Sequence, residues 1–430
     1  MRARRASTIR FLLAVALLSA CAGTTPPAPA RDRCGLADRP WQAALPQVRA
    51  EARAWLRLAE VRVEKVYDAA PANTGRRLQF PPGARPRALV SYGDAGPGDP
   101  LRDRSFLYDD ALALLWLTAT GDQEAARDLA ATLLALQSED GTWGFSFSVA
   151  DGFYNAAYVR AGAVAWVAHA LAVYARRFRD VAADIAATRG ARALLQARRP
   201  DGPAAPGLVE GGRGRWSPDE RSFFPGFRLR AAITEHQLDA QMALAQLAPA
   251  AADDLAQRIV ASLWLQGEGR FAVAADESGP DPGRALDAAG GWGALWLASR
   301  GDLARARRSL KYTVAAFATR GSDVPGFRPY LDPVDGPLSA MEPDLVFVEG
   351  TLGVGLAAHR LGERTVAEAA LETAVRLACR YGPGVPYANR PAHGFPVRPA
   401  AAPTLWFLFL DHELNGGGTT AVFPAAGGGS

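Results

Sequence analysis

The chain has 430 residues, 49% of them hydrophobic, with 48 Lys and Arg against 44 Asp and Glu for a formal charge of +4. That composition is ample for a large buried core, while a mean hydropathy near zero excludes a polytopic membrane protein. Arg2, Arg4, Arg5 and Arg10 account for the whole excess of positive charge, and the remaining basic residues are scattered, so the chain carries no footprint for nucleic acid.

Residues 1–20 read as a lipoprotein signal peptide. A basic start is followed by the apolar run Phe11 to Leu18, too short for a stable membrane anchor. It ends in Leu18-Ser19-Ala20-Cys21, which resembles a bacterial lipobox with Cys21 as the lipidated residue; an ordinary signal peptide with an incidental cysteine is the alternative. Residues 21–38, rich in Ala, Thr and Pro, read as a flexible tether. Several acyl chains, at ~0.8 kcal/mol per buried CH₂, would hold such a protein on a membrane. Ala22 after the cysteine, in place of Asp, resembles cargo sent to the outer membrane of a Gram-negative cell. The expected location is therefore the cell envelope, facing the periplasm or the surface. Cys34 and Cys379 remain, either as a disulfide in an oxidising compartment or as two buried thiols.

Residues 41–66 show helical periodicity in Leu45, Val48, Trp55, Leu56, Leu58 and Val61. After a Pro/Gly-rich stretch, 69–104, the chain settles into helical hairpins at 106–120 with 123–137, 154–177 with 180–197, 231–248 with 251–266, 285–300 with 302–319, and 347–361 with 363–380. A last helix covers 401–414. The turns Thr120-Gly121-Asp122, Arg300-Gly301-Asp302 and Leu361-Gly362-Glu363 repeat one device, a Gly C-cap followed by an acid near the next helix start. The second helices also end alike, in Leu136-Gln137, Leu195-Gln196 and Leu265-Gln266. Five hairpins plus a pair made by the terminal helices give twelve helices. The expected fold is an all-α (α/α)₆ toroid in one domain, 39–415, with a disordered tail at 416–430; an open solenoid is the alternative.

Four first helices begin with acids: Tyr108-Asp109-Asp110, Thr234-Glu235-His236-Gln237-Leu238-Asp239, Leu286-Asp287 and Val348-Glu349-Gly350. These stretches, with Ala402-Pro403-Thr404-Leu405-Trp406, resemble the six-hairpin glycosidase-like proteins, bacterial carbohydrate-active toroid enzymes. The resemblance covers about residues 105–415. It departs from the pattern at Gln237, where Asn often follows Glu-His, and at Asp110, where an amide is common. Gln137 to Trp143 also looks like the QW motif of terpene cyclases, but no Asp-x-Asp-Asp proton donor accompanies it.

Cleaving a glycosidic bond takes one carboxylic acid to protonate the leaving oxygen and a second carboxylate to activate water or attack carbon. Glu235 is the leading general acid; Asp239, four residues on, shares its helix face and would raise one of the two pKa values. Asp109 is the leading base, with Asp110 its competitor, and Glu349 among apolar neighbours is a third acid. Helix capping is the structural alternative for Asp109 and Asp287; for Glu235 the alternative is that Thr234 caps the helix and Glu235 complements the helix dipole. Trp143, Tyr154, Tyr158 and Trp292, with Phe145, are candidate platforms for pyranose faces, and Arg160, His236 and Asp287 further substrate contacts. Trp116, Trp166, Trp264, Trp296 and Trp406 fall on apolar faces and read as core. His169, His236, His359, His393 and His412 show no metal spacing, and no phosphate loop or nucleophile elbow is present, so neither metal nor cofactor is expected.

The resulting expectation is an envelope lipoprotein that hydrolyses a polysaccharide or oligosaccharide with paired carboxylates. Its partners would be a carbohydrate and, through the lipid, a membrane. The oligomeric state stays open. A non-catalytic glycan-binding or export-assembly lipoprotein is one alternative, and a polysaccharide lyase using His236, Tyr158 and Arg160 is another.

Overall fold

The structure is a computed structural model that describes residues 32–64, 67–68, 76–77, 80, 85–199, 206–217, 222–332, 342–392 and 394–425. The signal peptide, Cys21, most of the tether and His393 lie outside the described residues. Among those described, no helix is long and apolar enough to cross a membrane.

The helices are α1 (Leu45–Ala59), α2 (Leu107–Thr120), α3 (Gln123–Leu136), α4 (Ala161–Phe178), α5 (Val181–Gln196), α6 (Thr234–Leu247), α7 (Pro249–Leu263), α8 (Leu286–Ala289), α9 (Trp292–Ser299), α10 (Leu303–Phe317), α11 (Val348–Leu361), α12 (Arg364–Tyr381) and α13 (Ala401–Leu414). Neighbour packing runs α2 to α4, α4 to α6, α6 to α9, α9 to α11, α11 to α13 and α13 back to α2. That closes an inner ring, with the outer helices α3, α5, α7, α10, α12 and α1 packed around it. With α8 and α9 counted as one broken inner helix, this is a six-hairpin toroid of twelve helices. The inner helices are apolar almost all round: in α4 and α13 nearly every residue is buried, whereas the outer helices bury one stripe.

Four expectations are corrected here. The chain is not purely all-α, because short strands precede the inner helices: Arg104–Phe106 pairs with Ser146–Ser148, Val159–Arg160 with Gly212–Trp216, and Ala232–Ile233 with Ala274–Asp276. The first long helix stops at Ala59, since Glu60–Arg62 joins Arg87–Leu89 in an antiparallel pair. The fourth inner helix breaks at Gly290-Gly291, where a Cβ on Gly290 would collide with the Thr313 side chain of α10 at 1.8 Å. Finally, the C-terminal segment is anchored rather than loose through Phe423. Half-buried Arg360 pairs with Glu413 and donates to the Phe423 carbonyl at 2.7 Å, Thr420 bonds Glu413, and Phe423 itself is buried against Trp166. Burying that ring on the back of the inner helices is what orders the segment.

Cys34 and Cys379 form a disulfide with their Cα atoms 5.4 Å apart, tying the start of the chain to the outer helix α12.

Candidate active site

The two ends of the toroid begin their helices differently. At the outer-helix starts, Asp122, Asp180 and Asp302 accept bonds from backbone N–H groups three residues on. At the inner-helix starts the flanking residues Phe106, Arg160, Ile233, Ala285, Phe347 and Ala400 are extended and supply no side-chain cap. Bare inner N-termini, each with a positive partial charge, therefore surround one end of the ring. A cleft opens there, lined by Asp109, Gly162, Glu235, Asp287, Glu349 and Ala402, one first-turn residue from each inner helix. Tyr92, Tyr108, Arg160, Trp166, His236, Asp239, Trp292 and Tyr387 also line it, with Phe106, Phe145 and Phe347.

Five carboxyl groups thus share a space with one guanidinium. Desolvation dominates their chemistry. Burial alone pushes Glu235 up to about 7. It also lifts Glu349 to about 7, opposed by a hydrogen bond from Tyr108 and assisted by the charge of Glu235. Burial, then the charge of Glu235, holds Asp239 well above the usual carboxylate range against a bond from Trp166. Asp287 is raised well above that range by burial and then by Glu235, Glu349 and Asp239. Asp109 is raised likewise by burial, opposed by the Ser91 hydroxyl.

Specific bonds orient some of these groups. The Trp406 indole N–H donates to Tyr108 Oη at 2.8 Å, and Tyr108 donates to Glu349 Oε1 at 2.8 Å. His236 is held neutral, its pKa brought down to about 3 by burial and then by the charge of Arg160. Gly162 makes room for this corner, because a Cβ there would lie 2.6 Å from the His236 ring and 2.9 Å from Asp239. Four buried polar atoms around the cleft have no hydrogen-bond partner: Arg160 Nε, His236 Nδ1, Asp239 Oδ1 and Asp287 Oδ1. Unsatisfied polar atoms are costly in a packed interior, so their gathering here is the mark of a site organised for something other than stability.

Of the residues singled out from sequence, Asp109, Phe145, Arg160, Glu235, His236, Asp239, Asp287, Trp292 and Glu349 meet in this cleft. Others do not. Asp110 points away, accepting bonds from Leu89 N–H and Ser105 Oγ, and anchors the strand beside α2. Trp143 is 0% exposed, its indole donating to the Leu133 carbonyl. Tyr154 is buried with its hydroxyl between Gly144 N–H and the Leu136 carbonyl. Tyr158 lies outside the cleft lining, its ring under the Arg160 guanidinium at 4.3 Å. Gln137 of the QW-like stretch bonds the carbonyls of Gly141 and Ala186, a clamp between hairpins. Thr234 donates to the Ala272 carbonyl rather than capping its helix. Gln237 grips both backbone groups of Val209.

Sequence reasoning missed Tyr108, Trp166, Tyr92 and Tyr387. Tyr108 adjoins Asp109, a usable signal. Trp166, read as core, lines the cleft, and Trp406 supports it from beneath, its ring 4.9 Å from Trp292. Among the described residues, no group of three His, Cys, Asp or Glu side chains is placed to hold a metal ion.

The fold is a closed six-hairpin toroid with one acid-lined end. No family model matches the chain, and no curated relative does. Solved structures share the fold across nearly their whole lengths. A sugar epimerase from a ruminal bacterium is 12% identical with a TM-score of 0.57, over 86% of this chain and 99% of that one. The GH76 α-mannanase of Bacteroides thetaiotaomicron is 11% identical with a TM-score of 0.51, over 90% and 100%. A glycosidase in complex with glucose is 13% identical with a TM-score of 0.54, over 87% and 97%.

Proposed function

We propose that this protein is a carbohydrate-acting enzyme, a glycoside hydrolase for uncharged sugars. The observation that carries the reading is the pairing of Glu235 and Glu349 in one cleft, each poised near neutrality and only one of them oriented by a donor. Glu235, raised by burial alone, is the general acid: its proton goes to the glycosidic oxygen as the C–O bond breaks. Glu349 accepts a bond from Tyr108, which favours its ionised form, so it takes the proton from water or attacks the anomeric carbon. Asp109 is the competing base, its pKa raised by burial against a hydrogen bond from Ser91. Five carboxyl groups facing one guanidinium also disfavour a uronate, which weighs against lyase chemistry.

A second reading is sugar epimerisation or isomerisation, favoured by the sugar epimerase likeness and by His236, a neutral imidazole beside Arg160. There the imidazole would remove the proton from the carbon next to an aldehyde and a proton would return to carbon. A base held down to about 3 is poorly matched to that task, so hydrolysis ranks first.

The test is digestion of a panel of neutral glycans and free sugars, comparing wild type with Glu235→Gln. New reducing ends from wild type only support hydrolysis. Deuterium at C2 of a free sugar without cleavage supports epimerisation, and ultraviolet-absorbing unsaturated ends a lyase. Binding with no product at all supports a non-catalytic glycan-binding role. Placement on the envelope through lipidated Cys21 belongs to the same proposal. Cys21→Ser should release the protein from membranes, and its retention after high-salt washing would sink that part.

A further inference from the structure

One antiparallel hairpin stands at the cleft rim and plays no part in the acid chemistry. Its strands, Gly212–Trp216 and Phe223–Leu229, pair Phe223 with Trp216 and Phe224 with Arg215. Both ends are fixed to the site. Gly212 pairs with Arg160, whose guanidinium donates to the Arg213 and Gly214 carbonyls. Leu229 and Ile233 line the cleft just ahead of Glu235.

Cross-strand partners share a face, so Trp216 and Phe223 lie together, with ring centroids 5.0 Å apart. From Phe223 the rings continue without a gap to Tyr158 at 6.3 Å, Phe145 at 5.4 Å and Phe106 at 5.4 Å. Phe145 and Phe106 are cleft wall. All five rings are partly solvent-facing, unlike the buried aromatics Trp143, Tyr154 and Phe147 nearby. A row of half-exposed aromatics leading from a polar cleft is a binding track rather than core.

Its charge is nearly cancelled. Arg213 pairs with Asp140 and Arg228 with Glu210, while Arg215 packs on the opposite face over Phe224 and Phe227. The track therefore offers π faces to C–H groups, and the cation beside it, Arg160 over the Tyr158 ring, faces the five carboxyl groups of the cleft.

We infer that Trp216, Phe223 and Tyr158 form an outer subsite that carries a neutral oligosaccharide chain out of the acid cleft. This makes extended, uncharged glycans, rather than single sugars, the preferred substrates. The inference rests on the carbohydrate reading above and goes beyond it in naming chain length and charge.

The test is calorimetric titration of Glu235→Gln with manno- and gluco-oligosaccharides of one to six residues, alone and combined with Trp216→Ala or Phe223→Ala. The expected result is affinity that rises with chain length, and a loss of at least tenfold for the hexasaccharide in the rim variants. Mono- and disaccharide affinity should be unchanged, with melting temperatures equal to that of the parent. Affinity independent of length, or rim variants that bind every length as the parent does, overturns the subsite and leaves the carbohydrate reading standing. Failure of every sugar to bind both Glu235→Gln and wild type overturns the two together. Tighter binding of a hexa-uronate than of the neutral hexasaccharides overturns the charge assignment.

Discussion

Tyr108 Oη donates a 2.8 Å hydrogen bond to Glu349 Oε1 across 241 residues of sequence, joining the first turns of two inner helices. The same oxygen accepts from the Trp406 indole, so a third inner helix fixes the geometry. A carboxylate held this way has a direction as well as a charge, and that is what separates Glu349 from the other acids in the cleft.

Tyr108→Phe should lower kcat/KM roughly 10- to 100-fold, the scale of a lost hydrogen bond to a charged group, while the fold persists. The bond pulls the Glu349 pKa down from where burial would put it. Without it the pKa rises, a base is ionised only at higher pH, and the acidic limb of the pH profile moves upward. An unshifted limb measured on the purified variant would separate Tyr108 from the chemistry.

Glu235→Gln should cost ~10²–10⁴-fold in turnover with sugar binding retained, because the amide keeps the shape and loses the proton. In wild type, activity should decline as pH rises through about 7, where Glu235 loses its proton. Initial rates across pH 5 to 9 check both statements.

The same variant has a stability signature. The folded-state pKa of Glu235 is raised from 4.5 to about 7, so the native state binds a proton that the unfolded chain has released between those values. Its contribution is fully present below about pH 4.5 and is lost as pH rises through about 7. Relative to wild type, Glu235→Gln should therefore gain stability between pH 5 and pH 8, by at most on the order of 3 kcal/mol. Urea unfolding at the two pH values measures the difference, and an equal offset at both would count against the buried acid.

Breaking the Cys34–Cys379 bond should cost ~2–5 kcal/mol, since it closes a loop of 345 residues. Neither cysteine lines the cleft, so Cys34→Ser should lower the melting temperature and leave KM unchanged.

Phe423→Ala should destabilise by about 3–5 kcal/mol, the usual cost of emptying a buried aromatic site. The ring lies 5.7 Å from Trp166, which bonds Asp239, so activity should fall as well. A denaturant midpoint equal to wild type would show that the C-terminal segment contributes no packing.

The sequence by itself determined the helical hairpins and the acids that open them. Gly-Asp turns and apolar inner runs are local signals, read within a few residues, and Asp109, Glu235, Asp287 and Glu349 follow from them. Only the tertiary structure decided which neighbours those acids keep. Asp109 and Asp110 are adjacent in sequence, yet one helical step of about 100° sends one into the cleft and the other to Leu89 and Ser105. Trp143 and Trp292 look alike as aromatics near helix ends, but ring closure buries the first between hairpins and turns the second to the cleft. The pKa values near 7, the Trp406–Tyr108–Glu349 relay and the seating of Phe423 all depend on elements far apart in the chain meeting at one end of a closed ring. Burial and long-range contact are properties of that closure, and no local pattern encodes them.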